Sequence, residues 1–168
     1  MRSTTRIVVG VVAALLLAVA AYAAAATMAK DTAAPPMHTV IAADGAQWGP
    51  APPVLPPGAQ LAVLNGDPGK DGEYAIRLSM PDGYVVAPHF HPTVENVTVI
   101  SGTFHIAGGD KVDKTKGDAL TAGGFVSLPA QMHHYAWADG PTVVQVHGMG
   151  PFQITYVNPA DDPSAKKP

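Results

Sequence analysis

Two histidines and a glutamate lie within seven residues of one another, in the segment GYVVAPHFHPTVENVTVISG of residues 83–102. His89 and His91 are two residues apart, so on a strand both side chains leave from the same face. At a rise of about 3.3 Å per residue their Cα atoms lie roughly 6–7 Å apart, close enough to share one cation. A Pro-Thr pair then interrupts the strand, and Glu95 belongs to a β-prone run that returns beside the histidines. Two imidazoles and a carboxylate suit a divalent ion such as Mn, Fe, Co, Ni, Cu or Zn.

The spacing of these residues resembles the first motif of the cupin family. The pattern is Gly83, five residues, His89-x-His91, three residues, Glu95, six residues and Gly102. The resemblance holds at every position of that motif. It implies a small β-barrel with a mononuclear metal centre.

The segment GFVSLPAQMHHYAW resembles the second motif of the cupin family. Gly124, Pro129 and His134 fall where the family has its glycine, its proline and its last metal-binding histidine. Gln131 stands where a glycine is usual, and no asparagine closes the motif. By this resemblance the metal ligands are His89, His91, Glu95 and His134.

His133 and His134 compete for the fourth ligand position, since adjacent residues on a strand face opposite sides. On the register that turns His134 inward, Ala136 and Ala138 also face inward and leave room beside the metal. A slip of one residue would exchange the two histidines.

Three further histidines lie outside the motifs. His105 is placed on a strand predicted to pair with the one that carries Glu95, where it could contact a ligand or act as a general base. For His105 and His147 alike, an ordinary hydrogen-bonded histidine is the simpler interpretation. His38 lies near the N-terminus and is predicted to take no part.

The elements that must position these residues are short strands. Residues 73–80 alternate, with Tyr74, Ile76, Leu78 and Met80 on one face, which is typical of a half-buried antiparallel strand. No segment after the N-terminal region has the period of a helix, and about ten short strands separated by turns predict an all-β fold. The resemblance makes this a single cupin barrel (a double-stranded β-helix, or jelly roll) over residues 61–157. The predicted strands are 38–42, 61–64, 73–80, 84–87, 94–100, 103–107, 125–128, 133–138, 142–147 and 152–157.

Three segments are predicted to lie outside regular strands. The proline-rich run QWGPAPPVLPPG of residues 47–58 is expected to clamp the barrel irregularly, with Trp48 as its anchor. Residues 111–122 form a polar connection between the two motifs, and residues 158–168 form a polar tail. The run 27–60 is therefore a linker followed by a proline-rich arm.

Residues 1–26 have the features of an export signal. Two arginines precede an apolar run, and small residues offer several A-x-A cleavage sites. We expect a periplasmic or extracellular protein. The alternative is a retained membrane anchor, because residues 7–26 contain no charge and can just span a bilayer.

The composition of the chain limits which classes of site and partner are expected. The chain has 168 residues, no cysteine and a formal charge of −3, which excludes thiolate sites and argues against nucleic acid as a partner. Open positions on a divalent transition metal (Fe, Mn, Zn, Ni or Cu) suggest an enzyme acting on a small organic molecule by dioxygenase-like or Lewis-acid chemistry. A non-catalytic metal or small-molecule sensor and a purely structural metal are the alternatives. The cupin resemblance also implies a homodimer.

Overall fold

A computed structural model describes residues 38–165 as nine antiparallel strands in one curled sheet, with two short 3-10 turns at the end. This confirms the all-β prediction. The strands are β1 (Gly49–Pro50), β2 (Gln60–Asn65), β3 (Gly72–Met80), β4 (Val85–Phe90), β5 (Glu95–Gly108), β6 (Asp118–Thr121), β7 (Phe125–Leu128), β8 (His134–Gly150) and β9 (Thr155–Tyr156), and the 3-10 turns are Pro159–Asp161 and Pro163–Ala165.

Two long strands hold the barrel together. β5 has 14 residues and β8 has 17, and they pair with each other from Glu95↔Gly148 to Gly108↔His134. The second half of β8 also pairs with β3, and its first half pairs with β4. The alternating residues of β3 are buried as predicted, because they face the barrel interior.

Two predicted breaks in the chain are bulges within continuous strands. The predicted strands 94–100 and 103–107 are parts of one strand, β5, which begins at Glu95 and whose register with β8 shifts on either side of Ser101. Gly102 has a φ of 80° and Gly140 a φ of 73°, values that favour glycine. These glycines bend β5 and β8 without ending them. The predicted strands 133–138 and 142–147 are likewise parts of one strand, β8, which begins at His134.

Other predicted boundaries also differ. Residues 38–42 form no strand, and the predicted strand 152–157 is reduced to the two residues of β9. The polar connection 111–122 contains a strand, β6, because Asp118–Thr121 pair with residues 103–106 of β5.

The proline-rich arm 47–58 closes one side of the barrel, but Trp48 is not its anchor. The Trp48 side chain is 39% exposed, whereas Leu55 is 7% exposed and inserts among the core residues. Leu55 is the apolar contact that ties the arm to the interior.

Two buried tyrosines bind the backbone of the arm on either side of Leu55. The hydroxyl of Tyr156 donates to the carbonyl of Val54 at 2.7 Å, and that of Tyr84 donates to the carbonyl of Pro56 at 2.6 Å. Hydrogen bonds from tyrosine side chains of the barrel to main-chain carbonyls of the arm therefore hold this segment, whose prolines leave it few main-chain N–H donors.

The predicted signal or anchor, residues 1–26, lies outside the described residues. Between residues 38 and 165 no helix is long and apolar enough to cross a bilayer.

Candidate metal centre

Four of the predicted site residues lie together on the inner face of the barrel. His89 is on β4, His91 follows that strand, and Glu95 and His134 are the first residues of β5 and β8. β4 and β8 place His89 directly opposite His134. All four side chains are buried, which is unusual for such polar groups unless they bind one another or a cation.

The three histidine rings are held in the same tautomer. Each Nδ1 lies within hydrogen-bond distance of a backbone carbonyl, which can only accept, so each Nδ1 carries the proton. Each Nε2 therefore faces the site, where it can bind a cation once it carries no proton. The bonds are His89 to Ala87 at 2.7 Å, His91 to Gln153 at 2.7 Å and His134 to Met132 at 2.9 Å.

The possible ligand atoms of His89, His91 and His134 all lie within 4.8 Å of one another. Oε2 of Glu95 lies 3.3 Å from Nε2 of His91 and 3.4 Å from Nε2 of His134. Metal–ligand bonds of about 2.0–2.1 Å put neighbouring ligand atoms about 3.0–3.4 Å apart, so the separations of 3.3 and 3.4 Å suit Glu95, His91 and His134 as neighbouring ligands of one ion. The group of mutually close ligand atoms contains the three histidines without Glu95. The contact from His91 is not directed as a hydrogen bond, and its buried Nε2 has no hydrogen-bond partner within residues 38–165.

The charges of the site also suit a cation. Burial by itself would raise the pKa of Glu95, but its contacts with His134 and His91 outweigh burial and hold that pKa well below the usual range. Burial, followed by the nearby His134 and His91, lowers the pKa of His89 to about 3. Glu95 is thus ionised and His89 neutral, the forms in which each binds a metal.

A cavity of about 50 Å³ lies beside these four side chains. This is room for a few waters or a comparably small ligand, because one water needs about 10–15 Å³. No ionisable side chain of the described residues lines it apart from the four site residues. The rest of the wall is apolar and includes Leu55, Leu78, Met80, Val86, Ile106 and Phe152.

His133 and His147 face away from this cavity. His133 stacks on Phe90 with 5.1 Å between ring centroids, and its Nδ1 lies 2.6 Å from Oδ1 of Asp110. The register of β8 therefore turns His134 inward and His133 outward. His147 and His38 are exposed.

His105 is not brought to the other four residues. It lies on β5 itself, the strand of Glu95, and not on a neighbouring strand as predicted. Phe104 and Ile106 face the cavity, so the intervening His105 points outward. Its ring stacks on Trp137 at 4.6 Å with an interplanar angle of 8°. This position does not suit the predicted role of a general base or ligand contact.

A family model described as the ChrR Cupin-like domain matches residues 36–153. The chain belongs to this cupin family. The match confirms the resemblance that the two motifs indicated, and a comparison with curated proteins finds no relative.

Solved structures share the fold of this cupin. A candidate acetylacetone dioxygenase of Methylibium petroleiphilum has a TM-score of 0.59 at 20% identity, over 76% of this chain and 86% of that one. The acetylacetone dioxygenase of Acinetobacter johnsonii has a TM-score of 0.58 at 14% identity, over 78% and 85%. The polyketide cyclase RemF of Streptomyces resistomycificus has a TM-score of 0.57 at 15% identity, over 76% and 91%. At these identities the likeness concerns the fold.

Gln131 contributes to the site in a way that the sequence motif did not reveal. Its φ of 64° is in the left-handed region, which explains why the family motif has a glycine there. Its backbone N–H donates to the carbonyl of His91 at 2.9 Å, and its side-chain amide donates to the same oxygen at 3.4 Å. The departure from the motif therefore keeps the backbone shape and ties the loop before His134 to His91.

Phe152 is a second contact that the motifs do not contain. Its ring stacks on His91 at 4.9 Å with an interplanar angle of 17°, and its other neighbour is Tyr74 at 5.4 Å. The alternation of β3 predicted that Tyr74 faces inward. It gave no sign that the residue reaches this group of rings.

Proposed function

We propose that this cupin is an exported, metal-dependent enzyme that acts on a small organic molecule. One divalent transition metal would be held by His89, His91, Glu95 and His134. The observation that carries the proposal is the convergence of three Nε2 electron pairs and one carboxylate beside an apolar cavity. Four protein ligands leave one or two positions open on a five- or six-coordinate ion, where a closed structural site would leave none.

When bound, such an ion supplies Lewis-acid polarisation or, as iron or copper, oxygen chemistry. The protein contributes three fixed imidazoles and a wall that excludes water. A small ligand with an oxygen atom suits the space, because its polar end would reach the metal and its carbon atoms would meet the aliphatic wall. The shared fold with acetylacetone dioxygenases supports oxygen-dependent chemistry on a compact ketone or enol.

A non-catalytic metal or small-molecule binding module is the second candidate. It is favoured by the absence, in the described part of the cavity wall, of any ionisable group beyond the four ligands. An enzyme of this kind must rely on the metal and the substrate for its proton transfers. A binding module needs no such transfers.

Export stays a prediction that rests on residues 1–26. In that compartment the protein would take up its metal after export. The ligand set itself would bind copper or zinc more tightly than manganese or iron, so availability decides which metal is present. The homodimer implied by the cupin resemblance also stays a prediction.

Metal analysis of the whole chain tests the proposal, with His134→Ala beside His133→Ala as a matched pair. These adjacent residues face opposite sides of β8. We expect about one equivalent of metal in the parent and in His133→Ala, and a loss in His134→Ala of at least ten-fold in affinity. Equal metal content in all three proteins, or none after loading, would refute the site.

Oxygen uptake separates the two candidate functions. The protein loaded with iron, copper, manganese, nickel or zinc is screened against small diketones, enols and thiols. Turnover that His134→Ala abolishes and His133→Ala retains supports the enzyme. Saturable binding of such a compound without turnover, with any of these metals, supports the binding module.

A further inference from the structure

Tyr74 is a buried polar residue that has no role in the candidate metal centre described so far. It is 2% exposed, and its hydroxyl has no hydrogen-bond partner among residues 38–165. The other two tyrosines on this inner face, Tyr84 and Tyr156, each donate to a carbonyl of the proline-rich arm. An unpaired buried hydroxyl is destabilising, so its retention needs a reason.

The strand register points Tyr74 at Glu95. Gly148 of β8 pairs with Tyr74 of β3 on one side and with Glu95 of β5 on the other. Residues directly opposite one another in antiparallel strands project to the same face, so all three belong to one inward-facing row. The backbones of Tyr74 and Glu95 are two strand spacings apart, about 10 Å, which their two long side chains can span together.

The middle residue of this row is Gly148, and the ring of Tyr74 lies in the space that the missing side chain leaves. A Cβ placed on Gly148 would lie 3.4 Å from the hydroxyl oxygen of Tyr74 and 3.7 Å from its Cε1. The phenol therefore lies beside the inward face of Gly148, where a side chain longer than alanine would meet it. Its ring is also supported by Phe152, which stacks on His91. Burial raises the pKa of Tyr74 above its usual value, and the negative charge of Glu95 is the second cause of that rise.

We propose that Tyr74 is a positioning residue for the metal centre, whose hydroxyl donates a hydrogen bond to the Glu95 carboxylate when a metal is held. The inference rests on the proposed metal site. Oε2 of Glu95 is the oxygen that meets His91 and His134. The hydrogen bond would go to the other oxygen, Oε1, and would keep the carboxylate from rotating or binding through both oxygens. Groups that orient a ligand in this way commonly change metal affinity by about 10–100-fold.

The test compares Tyr74→Phe with Tyr84→Phe and Tyr156→Phe in the whole chain. All three changes remove one hydroxyl from a buried ring. Zinc affinity is measured by competition with a chelator, the cobalt-loaded proteins are compared by absorption spectroscopy, and the melting temperature is taken without metal. For Tyr74→Phe we expect zinc binding weakened about ten-fold or more, a shifted cobalt spectrum, and an unchanged or higher melting temperature. For the two control variants we expect zinc affinity within about two-fold of the parent and a lower melting temperature, since each loses a hydrogen bond.

Three results would overturn the inference. Zinc affinity of Tyr74→Phe within about two-fold of the parent, with an unchanged cobalt spectrum, would show that the hydroxyl does not act on the site. A metal-free melting temperature lowered as far as in the controls would show that the hydroxyl is already bonded elsewhere. A parent protein that binds neither zinc nor cobalt would remove the proposed metal site and the role of Tyr74 with it, which distinguishes that failure from the other two.

Discussion

Replacing Leu55 with alanine tests whether the proline-rich arm is part of the barrel core. The change removes three carbon atoms from a side chain that is 7% exposed and lines the cavity of the candidate metal centre. At about 0.8 kcal/mol per buried methylene, the transfer term alone is about 2.4 kcal/mol. The space left behind adds to this unless the arm collapses into it.

Collapse is opposed on both sides of Leu55. The carbonyls of Val54 and Pro56 are each bound by a tyrosine hydroxyl of the barrel. We therefore expect a loss of about 3–4 kcal/mol in the free energy of unfolding, in the middle of the usual range for Leu→Ala. The cavity should also enlarge, so the variant should accept bulkier ligands.

Urea unfolding of the metal-free protein measures this loss, with Val63→Ala as the control. Val63 is 45% exposed on β2, and its truncation should change stability by less than about 1 kcal/mol. The slope of the free energy against urea should be the same in all three proteins, so that the midpoints can be compared directly. A loss below about 1 kcal/mol for Leu55→Ala would mean that the arm does not seal the cavity.

Two backbone predictions concern the surroundings of the site. Gln131→Gly should be more stable than Gln131→Ala by about 1 kcal/mol. Both variants lose the side-chain amide, but only alanine is strained in the left-handed conformation at a φ of 64°. Equal melting temperatures of the two variants would contradict this prediction. Gly148→Ala should lower both stability and zinc affinity, because the added Cβ would lie 2.7 Å from the carbonyl oxygen of Val94, next to Glu95. Gly49→Ala is its control, since a Cβ there meets nothing within 4 Å, and comparable losses in both variants would refute the crowding argument.

The sequence allowed the inner face and the grouping of the site residues to be predicted. A period of two along β3 separates buried from exposed positions without any knowledge of the partner strands. The spacing of two residues placed His89 and His91 on one face, and the resemblance to the second cupin motif, which has its last histidine five residues after the proline, favoured His134 over His133. These features depend on local spacing, which a sequence records directly.

Features that depend on distant pairing could not be predicted in the same way. The dipeptide Ser101-Gly102 fits a turn, but a bulge in a continuous strand also takes a glycine with a φ of 80°. The pairing of β5 with the long strand β8 decides between them. Trp48 was expected to anchor the arm because it is the largest apolar residue there. The tyrosine hydroxyls bind the backbone around Leu55 instead, and a proline-rich sequence gives no sign of which carbonyls will be reached.

The orientation of the three imidazoles depends both on local spacing and on contacts between distant parts of the chain. His89 and His134 each donate through Nδ1 to the carbonyl two residues earlier, so their orientation follows from the strand that carries them. His91 donates to Gln153, which is 62 residues further along the chain, and stacks on the adjacent Phe152. The segment between β8 and β9 therefore fixes the orientation of His91, a candidate ligand that the first motif supplies. Because that segment also forms part of the apolar wall, the same residues that orient His91 limit the size of what can approach it.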